Sequence, residues 1–184
     1  MHRPEQPQIC MQTRSILLIG PRGSGKSTVG KLLAKSIALP FFDADVELET
    51  RNRRTIQQIF AQSGEATFRD MEAEVLRELL AKSPIVLATG GGAVLRDENR
   101  RLIKNAGFVV WLTGTVDTLW QRIGSDPVTA LRRPNLGVGG PTEIAMLLQQ
   151  RESLYRECAN LTLATDGREP AEITSEILQA CHHS

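Results

Sequence analysis

Eight consecutive residues, Gly20-Pro-Arg-Gly-Ser-Gly-Lys26-Ser27, fit the pattern G-x-x-x-x-G-K-[ST]. Glycines at these places let successive backbone N–H groups turn inward around phosphate oxygens with no side chain in the way. A helix opening near Lys26 adds the positive end of its dipole. Lys26 would reach the terminal phosphates and the Ser27 hydroxyl would coordinate Mg²⁺, while Gly23, Ser24, Gly25 and Thr28 complete the cradle. An ordinary glycine turn is the alternative. Against it stands the context: an apolar run precedes the motif and an amphipathic stretch follows it, as phosphate binding requires. The chemistry is nucleoside triphosphate binding by a P-loop.

The next residues with chemical potential are Phe42-Asp43-Ala44-Asp45. If the chain stays extended there, side chains two apart point the same way. Both carboxylates would then sit at the carboxyl edge of a sheet, where open α/β folds bind ligands. One acid could serve a metal's water shell and the other accept a proton from a hydroxyl nucleophile; alternatively one of them only caps the following helix. Arg69 and Glu72, taken alone, read as an i,i+3 surface ion pair of little worth. Gly90-Gly91-Gly92 permits close backbone approach to a ligand, or forms a flexible turn. Arg132-Arg133, beside a P-loop, is a candidate clamp on phosphoryl charge.

These residues need a scaffold, and the periodicity supplies one. Short apolar runs at Arg14–Ile19, Phe41-Phe42, Ile85–Ala88, Phe108–Leu112 and Leu161–Ala164 read as strands. Amphipathic stretches between them read as helices over about 26–38, 45–53, 56–61, 65–82, 98–105, 115–123, 142–158 and 170–181. On the first of these, Val29, Leu32, Leu33 and Ile37 are expected on one buried face. Strands apolar throughout and separated by helices imply an α/β fold of three layers, a five-stranded parallel sheet flanked by helices. Residues 15–184 are read as a single domain and 1–14 as a flexible extension. The glycine- and proline-rich segment 124–141 shows no periodicity, as a functional lid would.

Composition narrows the partners. Lys plus Arg number 22 against 21 Asp plus Glu in 184 residues, so no global positive field exists to hold a nucleic-acid backbone. Two Trp, one Tyr and five Phe also offer little surface for stacking bases. No apolar run approaches the roughly 20 residues that span a bilayer. Neither nucleic acid nor membrane is an expected partner. Three cysteines, Cys10, Cys158 and Cys181, odd in number and without metal-ligand spacing, suit a reduced cytoplasmic protein.

Taken together and in order, Gly20–Ser27, Asp43-Ala-Asp45, Gly64-Glu-Ala-Thr-Phe68-Arg69, Gly90-Gly91-Gly92-Ala93, Arg133-Pro134 and Arg151-Glu-Ser-Leu-Tyr155 resemble the shikimate kinase family. The resemblance runs from about Ser15 to Leu178. It implies a P-loop kinase with a mobile lid over about 124–141, an acceptor-binding region over about 43–82, and a monomer. ATP and shikimate would be the substrates, with one Mg²⁺ ion accompanying ATP. The resemblance assigns Lys26, Asp45 and Arg133 to catalysis. Asp45, Arg69, Gly91, Gly92 and Arg151 would hold shikimate, the arginines through its carboxylate. Ser27 and Asp43 would serve the metal, Asp43 from its second shell, and Arg122, Arg168 and Pro170 would flank the adenine. Two departures stand out. Asn135 intervenes where the family continues with leucines after Arg133-Pro134, and glycines follow, so Arg132 could share the role of Arg133. Ser153 occupies a place where proline is common.

Overall fold

The computed structural model describes residues 14–125 and 139–182. Five strands run in the order β1 (Ser15–Ile19), β2 (Phe41–Asp43), β3 (Val86–Ala88), β4 (Gly107–Thr113) and β5 (Leu161–Ala164). They form one parallel sheet with spatial order β2-β3-β1-β4-β5. The helices among the described residues are α1 (Lys26–Ile37), α2 (Ala44–Asn52), α3 (Ile56–Leu80), α4 (Asp97–Ala106), α5 (Val116–Ser125), α6 (Gly140–Cys158) and α7 (Pro170–His182), with a short 3₁₀ turn at Ala93–Leu95.

Alternation along the central strands builds the three layers. In β1, Ile16 and Leu18 point to one face, where they pack with Val29 and Leu33 of α1 and Ile173 and Ile177 of α7. Leu17 and Ile19 point to the other, among Leu48 of α2, Phe68 and Leu76 of α3, Ile103 of α4 and Tyr155 of α6. Both faces of the strand are covered, which is why it reads as an unbroken apolar run rather than an alternating one.

The order of the strands also places the ligand edge. After β1 the chain moves out to β2 and returns to β3 on one flank; from β3 it crosses to β4 on the other. The carboxyl end of β1 therefore lies where the winding reverses, the usual location of a crevice in open parallel sheets. The P-loop motif occupies that turn.

Two expectations change on contact with the structure. Leu32 is exposed, because Gly30 and Ala34 face inward instead. A Cβ on Gly30 would fall 2.4 Å from the Phe41 ring, so this face of α1 was made small to admit an aromatic side chain. The two helices expected over 56–61 and 65–82 are both present, meeting at Gly64, whose φ of 76° and ψ of 172° break the helical geometry of α3. Its start is secured by a capping box in which Thr55 and Gln58 exchange hydrogen bonds. Finally, the chain does not remain extended across 43–45: α2 begins at Ala44. The expected extension at 1–14 lies outside the described residues apart from Arg14. Of the expected lid, residues 126–138 lie outside them as well, while α5 and α6 take up its two ends.

No helix among the described residues is long and apolar enough to cross a membrane. Cys158 is buried in the core, and burial pushes its thiol up to about 11. That makes it an inert packing residue rather than a nucleophile.

Candidate active site

The turn between β1 and α1 is held open by backbone geometry. Gly25, the residue before α1, has a φ of 84°, and a Cβ there would meet nothing within 4 Å. A side chain would thus be strained by conformation while the space beside it is free, which is what a backbone cradle for an external group looks like. No side chain caps α1. Its first N–H groups have no partner within the helix and point toward that space. Ser24 is buried beneath the turn, its hydroxyl donating to the Pro21 carbonyl at 2.8 Å. Lys26 Nζ donates to the carbonyls of Gly20 (2.9 Å) and Pro21 (2.7 Å), so the ammonium is fixed across the mouth of the loop.

Asp43 reconciles the two readings open at the sequence level. Its Oδ1 accepts from the backbone N–H of Asp45 and Val46, capping α2. Its Oδ2 accepts from the Ser27 hydroxyl at 2.5 Å. One carboxylate therefore both starts a helix and faces the P-loop. Asp45 comes to the same crevice from the first turn of that helix and not from an extended strand. The correct neighbourhood was reached through a cap instead of a pleat.

A cavity of about 1180 Å³ lies over this edge. Gly23, Gly25, Lys26, Ser27, Thr28, Asp43, Asp45, Gly91, Arg122 and Pro170 all line it. It is large enough for a nucleotide with a small acceptor beside it. Arg122 is anchored by Thr165, donating to its hydroxyl (2.8 Å) and its carbonyl (2.7 Å). Arg168 is not among the lining residues; its guanidinium pairs with Glu176 at 2.6 Å. Arg132 and Arg133 fall outside the described residues.

Arg69, Gly92 and Arg151 gather next to the cavity, joined to it through Gly91. Arg69 and Glu72 are no surface pair: both are buried, with Nη1 donating to Glu72 Oε2 at 2.7 Å. Nε and Nη2 of Arg69 reach Glu65 Oε1 at 3.3 and 3.0 Å. Arg151 lies one turn before Tyr155 on α6, so the two share a face. Both donate to the Gly91 carbonyl, Tyr155 through its hydroxyl at 2.6 Å and Arg151 through Nη1 at 3.4 Å. Arg151 Nε is buried without a hydrogen-bond partner among the described residues. An orphaned buried cationic donor is costly, and an anion is the group that would satisfy it.

The sequence reading missed what Tyr155 does. Stacked on Trp111 with ring centroids 5.7 Å apart, it pins the glycine turn that links both halves of the site. Its spacing of four from Arg151 was the available signal.

Gly92 fits because Arg69 fills the space a side chain would take. A Cβ there would lie 2.2 Å from Nη1 and 2.7 Å from Nη2. The backbone at Gly92, φ −99° and ψ 0°, accepts alanine without strain. Gly92→Ala should therefore displace the guanidinium and leave the chain path intact. We expect the KM for an anionic acceptor to rise by about 10- to 100-fold, as misplacements near 1 Å do, with the KM for nucleotide unchanged in the same steady-state assay.

Comparison with known proteins agrees with this layout. The shikimate kinase family model matches residues 22–182. A shikimate kinase of Chromohalobacter salexigens is 43% identical over 166 residues, covering 90% of each chain. One of Pseudomonas fluorescens is 44% identical over 166 residues, 90% of this chain and 94% of the relative. Among solved structures, the shikimate kinase from Acinetobacter baumannii in complex with shikimate superposes with a TM-score of 0.87 at 38% identity, covering 95% of this chain and 96% of that one. Similarity of this strength, carried over almost the whole length and on the fold described above, means that the chain belongs to the shikimate kinase family.

Proposed function

We propose that this chain transfers the terminal phosphoryl group of ATP to the 3-hydroxyl of shikimate, giving ADP and shikimate 3-phosphate. The observation that carries the reading is the continuity of the site. A phosphate cradle and the Asp45 carboxylate share one cavity, and the Gly91-Gly92 turn beside it meets two buried arginines, Arg151 at Gly91 and Arg69 at Gly92. A small carboxylate with ring hydroxyls asks for guanidinium groups at one end and an acceptor carboxylate at the other.

In this reading the backbone of Gly23–Thr28 and Lys26 bind the triphosphate, and Arg122 and Pro170 border the nucleotide's far end. Arg69 and Arg151 fix the acceptor carboxylate, with the backbone of Gly91 and Gly92 alongside. Asp45 orients the 3-hydroxyl and takes its proton. The transition state is loose, so Asp45 contributes more by alignment than by basicity. Arg133, which lies outside the described residues, is assigned the role of balancing charge on the transferring group.

The Ser27–Asp43 pair fits Mg²⁺. A hydroxyl and a carboxylate at 2.5 Å are hard oxygen donors. No group of three or more His, Cys, Asp or Glu able to hold a metal exists among the described residues. Ser27 would hold the ion through its hydroxyl, with Asp43 as a supporting carboxylate, a donor set that suits an ion also bound by nucleotide phosphates and water. When bound it neutralises charge on the phosphates. The chain is proposed to work as a cytoplasmic monomer.

A coupled assay of ADP release against a panel of hydroxylated carboxylic acids tests the assignment. Shikimate should support turnover at the lowest KM. Turnover on another acid with none on shikimate would overturn it. Arg69→Lys keeps a partner for buried Glu72 but loses the fork, and should raise the KM for shikimate at least about 10-fold, within the cost of truncating a buried charged contact. Arg69→Ala is a poorer probe, since it also strips Glu72 of a buried counter-ion and destabilises the fold.

A further inference from the structure

Each edge of the Arg69 guanidinium has a neighbour. Nη1 is given to Glu72, which is buried at 3% exposure. The end between Nη1 and Nη2 abuts Gly92, where a Cβ would fall within 2.7 Å of both nitrogens. The remaining Nε–Nη2 edge offers the two parallel N–H bonds that a carboxylate takes best. That edge is held by Glu65 Oε1, at 3.3 and 3.0 Å. The two acids are unlike. Glu72 is enclosed, whereas the Glu65 side chain is 57% exposed.

Glu65 is also the first residue after the interruption of α3. Gly64 has a φ of 76°, and the space beside it is open to 4 Å. The Glu65 carboxylate can therefore swing into solvent without unwinding the helix that carries Arg69. Glu72, one turn further on and buried, cannot.

We propose that Glu65 is a built-in competitor at the acceptor site, and that the acceptor's carboxylate binds Arg69 by displacing the Glu65 carboxylate from the Nε–Nη2 edge. Glu72 remains bonded throughout and keeps the guanidinium aimed. The exchange replaces one carboxylate by another, so the cation is never left unpaired. It also sets specificity: an uncharged polyol cannot replace what Glu65 provides, and pays for removing it. This inference rests on the proposed role of Arg69 in holding the acceptor carboxylate.

Calorimetric titration of shikimate into Glu65→Gln tests it. Removing the competitor should lower the Kd for shikimate by about 2- to 5-fold, the worth of one partly exposed ion pair. An analogue with a hydroxymethyl group in place of the carboxylate should gain at least as much, since it no longer has to displace Glu65, so the ratio of the two affinities narrows. Asp70→Asn is the control for charge alone: Asp70 lies on the same helix, pairs with Arg96 at 2.6 Å and does not touch Arg69. It should change the Kd less than 2-fold. An unchanged or weaker affinity in Glu65→Gln, or an equal gain in Asp70→Asn, would overturn the competitor role. Arg69→Lys separates the two layers. If it weakens shikimate binding while Glu65→Gln does not strengthen it, only the competitor fails. If Arg69→Lys leaves the Kd untouched, the acceptor assignment fails beneath it.

Discussion

Lys26→Met is expected to lower kcat by about 10³-fold, the scale on which a fixed charge-stabilising donor acts in a water-poor site. The loss has two parts that one experiment separates. In the proposed reaction the ammonium balances charge on the transferring group, so its removal raises the barrier directly. It also spans the Gly20 and Pro21 carbonyls at 2.9 and 2.7 Å, and methionine leaves both acceptors without that donor. The loop should relax, and nucleotide affinity should fall along with turnover. Calorimetric ATP titration beside steady-state kinetics reads both terms. A variant keeping more than about a tenth of wild-type kcat would remove Lys26 from the chemistry, since that is less than 1.4 kcal/mol of barrier.

Asp45→Asn is the second large effect. The substitution preserves volume and leaves the Asp43 cap of α2 in place, because that cap uses the backbone N–H of residue 45 and not its side chain. Turnover should fall by about 10²- to 10³-fold, in the range typical of a positioned proton acceptor, with the melting temperature nearly unchanged. The KM for shikimate should rise only modestly, since the proposed arginine contacts to the carboxylate are untouched. A fall in stability matching the fall in rate would instead mean that Asp45 serves the fold.

What could be read from the chain divides along a physical line. Features fixed by near neighbours were legible. The P-loop is an eight-residue signal whose geometry is set by its own glycines, and β1 declares its burial by being apolar at every position. Asp43 and Asp45 line the cavity from a helix start and not from one extended strand, because a cap and a strand end can present the same carboxylates. Features fixed by distant segments were not legible. Spacing made Arg69 and Glu72 a pair but said nothing of burial, which comes from packing against the Gly92 turn and the core. Tyr155 carried no visible role since its acceptor, Gly91, is 64 residues away. Helical spacing puts Leu32 in the core because it carries no information that Phe41 needs the room beside Gly30.

The enclosure of Arg69 between Glu72 and Gly92 bears on how such a protein can change under selection. A compound that grips this guanidinium presses on a side chain that cannot be exchanged alone. Replacing it strands an acid in the interior, and enlarging Gly92 only pushes the same group aside. Resistance by that route, or drift toward an uncharged acceptor, requires at least two concerted substitutions. Single-step escape should therefore cluster elsewhere, at positions that do not pack against this guanidinium.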